Sequence, residues 1–217
     1  MPGRSRRDEQ VSATREALLD ASERLFAEYG VHAVTIRQIS QAAGQGNTAA
    51  VSYHFGTKED VVRAIAQRHA ERMEVLRVRL LASIGGSTDL RDWVACAVRS
   101  VTGHLETLGT PSWYARFIAQ VTSDPALRAD LTEVFEKAAP SVQKLQEGLD
   151  RCLPDLPARV HDERAAMTRH LITQMTAERE RALADNEPTP STTWSEVADS
   201  LIDAISALWS APVTRST

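Results

Sequence analysis

Apolar residues recur along this chain at three- and four-residue intervals, from Ala17 and Leu18 near its start to Leu208 and Trp209 near its end, and nowhere alternate with polar ones. A period near 3.6 puts such residues on one face of a helix, whereas a half-buried strand needs a period of two. The chain is therefore expected to be all-α. Glycine and proline divide the pattern at Gly30, Gly44 and Gly46, Gly56, Gly85-Gly86, Gly109 with Pro111, Pro154 with Pro157, and the loop NEPTPSTT over 186–193. No segment repeats internally.

Between these breaks the spacing predicts an amphipathic helix over 12–29, two short helices over 35–43 and 47–55, and a long helix from Thr57 to the glycine pair. Further stripes run from Leu90 to Leu108, from Ser112 to Ser123, from Ala158 to Leu183, and from Trp194 to Trp209. Leu127, Leu131, Val134, Phe135, Ala138, Val142, Leu145 and Leu149 keep one phase through Pro140, which predicts a single kinked helix. An internal proline costs about 3 kcal/mol, to be offset by packing. Residues 1–11 read as a tail, with Arg4, Arg6 and Arg7 available as an arm for a minor groove.

The short pair is the chemically informative part. Thr35 with Gln38, and Thr57 with Asp60, have capping-box spacing, and Asn47 can cap the helix between them. Helices this short do not stand alone in water, so flanking helices must hold them. From Tyr29 through Lys58 there is no Asp or Glu, although 29 acidic residues in 217 would place about four in such a window. Arg37 and Lys58 carry its formal charges. A helix-turn-helix without carboxylates can approach phosphates and base edges without repulsion.

These residues resemble the tetracycline-repressor-like (TetR) transcriptional regulators: an opening helix ending in FAEYG, then VTIRQISQAAG, then YHFGTKEDV leading into a long fourth helix. The resemblance covers about the first sixty-five residues and is architectural beyond them. It implies a three-helix DNA-binding unit, linked by a long helix to a helical effector-binding and dimerisation region. The second short helix would enter the major groove, with Thr35 and Arg37 on the flanking backbone and Lys58 on a phosphate. The expected DNA-facing set is Thr35, Arg37, Asn47, Thr48, Ala50, Val51, Tyr53, His54 and Lys58, with Asn47 alternatively only a cap and Ala50 or Val51 either packing or thymine-methyl contacts. Ser52 stands where many members carry a tyrosine.

A net charge of −4 does not oppose this reading, because the carboxylates lie outside the 29–58 window. No apolar run reaches the roughly 18 residues of a membrane span, and the first ten residues have no apolar region behind their arginines, so a cytoplasmic protein without membrane contact is expected. Cys96 and Cys152 have neither metal nor redox spacing and are expected to be small apolar groups. No G-x-S-x-G, HExxH, P-loop or dinucleotide fingerprint is present, so neither an enzyme nor a cofactor is expected. His161, Asp162 and Glu163 are adjacent on a helix and point apart, which argues against a metal site.

The expected division is 1–56 for the arm and helix-turn-helix, 57–84 for a connecting lever helix, and 85–217 for effector binding and dimerisation. Candidate contacts for an unidentified small-molecule effector are His104, Trp113, Tyr114, Phe117, His170 and Gln174, polar or aromatic groups on apolar faces. The homodimer interface is assigned to Met167, Leu171 and Met175 together with Trp194, Val197, Leu201, Ile202, Ile205 and Leu208, a stripe too wide to leave in water. The expected function is a repressor that binds a near-palindromic operator in double-stranded DNA as a homodimer and leaves it when the effector binds. An activator of the same build and an all-α adaptor that binds protein are the alternatives.

Overall fold

The computed structural model describes residues 6–153 and 155–213, and of Arg6 the backbone alone. Within these residues the protein is all-α, with ten helices and no strand. They are α1 (Arg6–Tyr29), α2 (Ile36–Ala42), α3 (Ala49–His54), α4 (Lys58–Ile84), α5 (Leu90–Leu108), α6 (Tyr114–Ser123), α7 (Pro125–Ala138), α8 (Ser141–Cys152), α9 (Ala158–Ala184) and α10 (Trp194–Ser210).

α1 starts six residues before its expected beginning, so Arg7 belongs to a helix and not to an arm. Asp8 and Glu9 occupy its first turn, where carboxylates complement the positive end of the helix dipole. Arg4 lies outside the described residues, as does Pro154 of the expected 154–157 turn.

The expected kinked helix across Pro140 is two helices. Pro140 cannot donate to the carbonyl four residues back and its ring crowds that carbonyl, so α7 stops at Ala138. Ala139 leaves helical geometry with φ −136° and ψ 62°. The freed start of α8 is satisfied from another helix: Glu74 of α4 accepts from the Ser141 backbone N–H at 3.0 Å and from its hydroxyl at 2.5 Å. The phase survives because both pieces bury their apolar face, α7 against α4 and α8 against α4 and α5.

α1, α2 and α3 form a three-helix unit on the first half of α4, and α6 packs between α1 and α9. One buried core runs unbroken from Phe26, Ile39 and Val51 through Val61 and Ile65 to Phe117 and Leu131. Phe26 of α1 and Phe117 of α6 stack with ring centroids 6.3 Å apart, so the front unit and the C-terminal helices share an aromatic contact. Glu180 of α9, 1% exposed, fixes α6: it accepts from the Ala115 and Arg116 N–H groups at 3.1 and 2.9 Å and from the Ser112 hydroxyl at 2.8 Å. A buried carboxylate at a helix start both fills orphan donors and opposes the dipole.

The last stripe is covered within the chain. Val197, Ala198, Leu201, Ile202, Ile205 and Trp209 of α10 pack with Val94 and Val98 of α5 in a second core. The width of that stripe therefore does not require a partner, which corrects the argument made from the sequence. Trp194, Val197, Leu201, Ile202 and Ile205 are buried in the single chain.

Candidate nucleic-acid interface and effector cavity

Both expected capping boxes are present. The Thr35 hydroxyl accepts from the Gln38 N–H at 3.3 Å while Gln38 Oε1 accepts from the Thr35 N–H at 2.8 Å. Thr57 and Asp60 do the same at 3.1 and 2.9 Å, and these bonds, with Arg63, hold Asp60 down at a pKa of about 2. The turn after α2 closes through Gly44, whose φ of 67° a side chain would resist. Thr48 is the cap residue of α3 and its side chain makes no capping bond; Asn47 Oδ1, one residue earlier, accepts from the Ala49 N–H at 2.8 Å instead.

Thr35, Arg37, Asn47, Thr48 and Tyr53 are exposed, Tyr53 at 77%. His54 is half-buried and meets the Tyr53 ring edge-on at 5.0 Å. Val51 departs from the expected set: it is fully buried in the core, and Ala50 is half-buried against it. A helix of six residues has one inward face, and Val51 occupies it, so Val51 holds α3 down and cannot touch DNA. Lys58 Nζ donates to the Val34 carbonyl at 3.2 Å, tying the first turn of α4 to the segment before α2.

The second feature is a cavity of about 500 Å³ in the C-terminal helices, with α4, α5, α6, α8 and α9 contributing walls. Of the expected effector contacts only Tyr114 lines it. Phe117 is fully buried in the core, Trp113 packs against that core, and His104 is 1% exposed in a hydrogen-bonded pair described below. His170 and Gln174 point outward on α9, on the face that carries Met167 and Met175. The residue that sequence reasoning missed is Arg77, 6% exposed and in the cavity wall. Its signal was available: Met73, Arg77 and Leu81 stand four apart on the buried face of α4.

Comparison with known proteins agrees with this anatomy. Residues 18–65 match the family described as bacterial regulatory proteins, tetR family, and residues 104–207 match the tetracyclin repressor-like C-terminal domain. The chain belongs to the TetR family. Among curated members, the HTH-type transcriptional repressor Rv1474c of Mycobacterium tuberculosis is 31% identical over 93 residues, 41% of this chain and 49% of that protein. The repressor AcnR of Corynebacterium glutamicum is 29% identical over 130 residues, 57% of this chain and 67% of that one. The chain thus spans about half of the first relative and two thirds of the second. A TetR family regulator from Marinobacter aquaeolei shares the fold with a TM-score of 0.58 at 16% identity, covering 92% of this chain and 97% of that one. PfmR from Thermus thermophilus does so at 0.54 and 17%, covering 87% and 96%.

In this TetR-family chain a buried polar relay joins the front unit to the cavity. Glu23 of α1 accepts from His69 Nε2 of α4 at 2.8 Å and from Arg68 at 2.7 Å. His69 Nδ1 meets His104 Nε2 of α5 at 2.7 Å, and the His69 ring stacks on Tyr114 of α6 at 3.8 Å. Burial alone would raise the Glu23 pKa, but the hydrogen bonds and charges of His69 and Arg68 outweigh it and hold the carboxylate below its ordinary range. Burial, with His69 and Arg72 beside it, pushes His104 down to about 4, so it is neutral near pH 7.

The outward face of α9 carries Met167 at 49% and Met175 at 46% exposure, with Leu171 half-buried between them. A groove of about 600 Å³ continues from Leu171 and Met175 to Leu201 and Ala204 of α10, walled by residues 187–191. Arg179 fixes that wall, donating to the Thr192 carbonyl at 3.0 Å, to the Thr189 hydroxyl at 3.1 Å and to the Ser191 carbonyl. Among the described residues no helix is long and apolar enough to cross a membrane, and no group of His, Cys, Asp and Glu is placed to hold a metal ion.

Proposed function

We propose that this TetR-family protein is a transcriptional repressor that binds a near-palindromic operator as a homodimer and leaves it when a small molecule occupies the C-terminal cavity. The single observation that carries the DNA reading is the surface of α2 and α3, where Arg37, Thr48, Ser52 and Tyr53 stand exposed without a carboxylate among them. Such a surface fits phosphates through Thr35, Arg37 and Lys58 and base edges through Asn47, Thr48 and Tyr53. The relatives named as repressors support the sign of regulation. An activating mode is the second reading, favoured by CecR of Shigella flexneri, named a dual regulator and 47% identical over 53 residues, 24% of this chain and 23% of that one.

The division of labour follows the helices: 1–56 for DNA, 57–84 as the lever, 85–217 for effector and dimer. An effector can release DNA only through a higher affinity for the lever position in which the two α3 helices miss the half-site spacing. The outward face of α9 and the neighbouring groove on α10 are the surface we assign to the second subunit. Its site of action is the cytoplasm.

Fluorescence anisotropy on the DNA upstream of its own gene, against scrambled competitor at two salt concentrations, tests the reading. Specific binding that weakens as salt rises is expected, because phosphate contacts release counterions. Absence of any salt-sensitive DNA binding would transfer the protein to the adaptor class.

A further inference from the structure

The cavity is mostly apolar, with Leu105, Ile118, Phe135, Leu149, Ile172 and Trp209 in its walls, and its volume suits a small organic molecule. Arg77 interrupts that surface. Its guanidinium makes one hydrogen bond among the described residues, from Nη1 to Glu74 at 3.2 Å, and its Nε is buried without a partner. Glu74 is divided, because the same carboxylate holds the Ser141 N–H and hydroxyl at the start of α8. Burial outweighs Glu74 and lowers the Arg77 pKa. A buried cation with so few partners is costly, and an anion relieves that cost.

The rest of the lining agrees. Tyr114 lines the cavity, and its hydroxyl has no hydrogen-bond partner among the described residues. Burial raises its pKa well above the ordinary tyrosine range, so it remains a neutral donor. Asp150, the carboxylate in the lining, is exposed and paired with His161 at 3.2 Å, while Arg169, also exposed, makes no ion pair among the described residues. The carboxylates nearest the buried end are already engaged: Glu74 holds Arg77 and Ser141, Glu23 holds His69 and Arg68, and Glu180 holds the start of α6. A cationic ligand would face Arg77, and a neutral acceptor could pair Nε but would leave the buried charge without a counter-charge beyond the shared Glu74.

We propose that the cavity takes an amphipathic organic anion, an apolar body with one terminal carboxylate, and that Arg77 holds the carboxylate with Tyr114 beside it. This rests on the reading of the cavity as the effector site and names the chemistry of its occupant. A guanidinium presents its donors in a fork that matches a carboxylate. Arg77 lies two turns from His69 on α4, and Tyr114 stacks on His69, so the anion sits at the end of the relay that reaches Glu23 in the front unit.

Displacement of the neutral fluorophore N-phenyl-1-naphthylamine from the full-length protein at pH 8 tests this, comparing decanoate with 1-decanol. Decanoate is expected to displace the reporter at a concentration about tenfold or more below that of decanol, since a charge-assisted pair adds at least that factor. In Arg77→Gln the ratio of decanoate to decanol affinity should fall toward one, each displacement being read against that variant's own reporter affinity. Arg77→Lys, which keeps the charge, should retain part of the preference and serves if Arg77→Gln does not fold. Equal displacement by the two probes in the wild type, or an undiminished preference in Arg77→Gln, would overturn the anion proposal with the cavity reading intact. A wild-type protein that binds no reporter would overturn both.

Discussion

Neighbouring residues on α3 have opposite fates, and the difference is testable. Tyr53 is 77% exposed and Val51 fully buried, two positions apart on one short helix. Tyr53→Ala should weaken operator binding by about 1–3 kcal/mol with helicity unchanged, the usual size of a lost base-edge contact. Arg37→Ala should weaken it for all sequences and lower the salt slope by about one. Val51→Ala should act through stability, lowering the melting temperature by removing two buried methyl groups, roughly 2 kcal/mol. Anisotropy titrations and thermal melts on the three variants separate the roles; unchanged affinity in both Tyr53→Ala and Arg37→Ala would remove this surface from DNA binding. The sequence offered Val51 to DNA because its spacing along 47–55 shows which residues share a face and not which face the core takes. The same holds for His104, whose polar ring on an apolar stripe signalled a missing partner that proves to be His69. That pair makes stability fall with acid. His104 has a folded pKa of about 4 against 6.5 when free, so the unfolded chain binds the proton first as pH falls from about 6.5 to 4. Glu23, held below its ordinary value, extends the loss at lower pH. The melting temperature should therefore drop between pH 7 and 4, and drop less in His104→Gln.

At the scale of helices the sequence was most legible where a cap and a stripe coincide. Leu90–Leu108 and Trp194–Ser210 lie where their stripes put them, and the boxes at Thr35 and Thr57 are satisfied by the residues expected. Pro140 was misread because apolar phase reports what is buried and not whether the backbone is continuous. The bond that replaces the lost helical one comes from Glu74, 67 residues away, and no local pattern announces it. Gly148 is likewise unremarkable in sequence. In α8 it lies against the Trp93 ring of α5, where an added Cβ would come within 2.0 Å of the ring. The ring is 1% exposed and cannot retreat into solvent. Gly148→Ala should thus force α8 off α5 and lower the melting temperature by many degrees, although alanine is the better helix former by up to about 1 kcal/mol. A melt equal to the wild type would show that α8 does not hold this contact in solution.

For the whole molecule the open surface lies on α9 rather than on the last stripe. Ile205 is 1% exposed inside the α5–α10 core, while Met175 is 46% exposed on the α9 face beside the groove. A charge at each should have different consequences. Ile205→Asp buries an unpaired carboxylate, which a folded chain cannot keep charged, and is expected to unfold or aggregate. Met175→Asp leaves the single chain intact but sets two like charges near the proposed two-fold contact, and should give a folded monomer in sedimentation velocity at micromolar concentration. Its effect on DNA then follows without any change at α3. Each subunit keeps its own half-site contacts, but the second half-site is no longer met at the high effective concentration that a dimer provides, so operator affinity should fall by about a hundredfold or more. The salt slope should fall toward half as one half-site is lost, whereas Tyr53→Ala should leave it nearly unchanged. A Met175→Asp protein that remains a dimer with full operator affinity would move the interface off this face of α9.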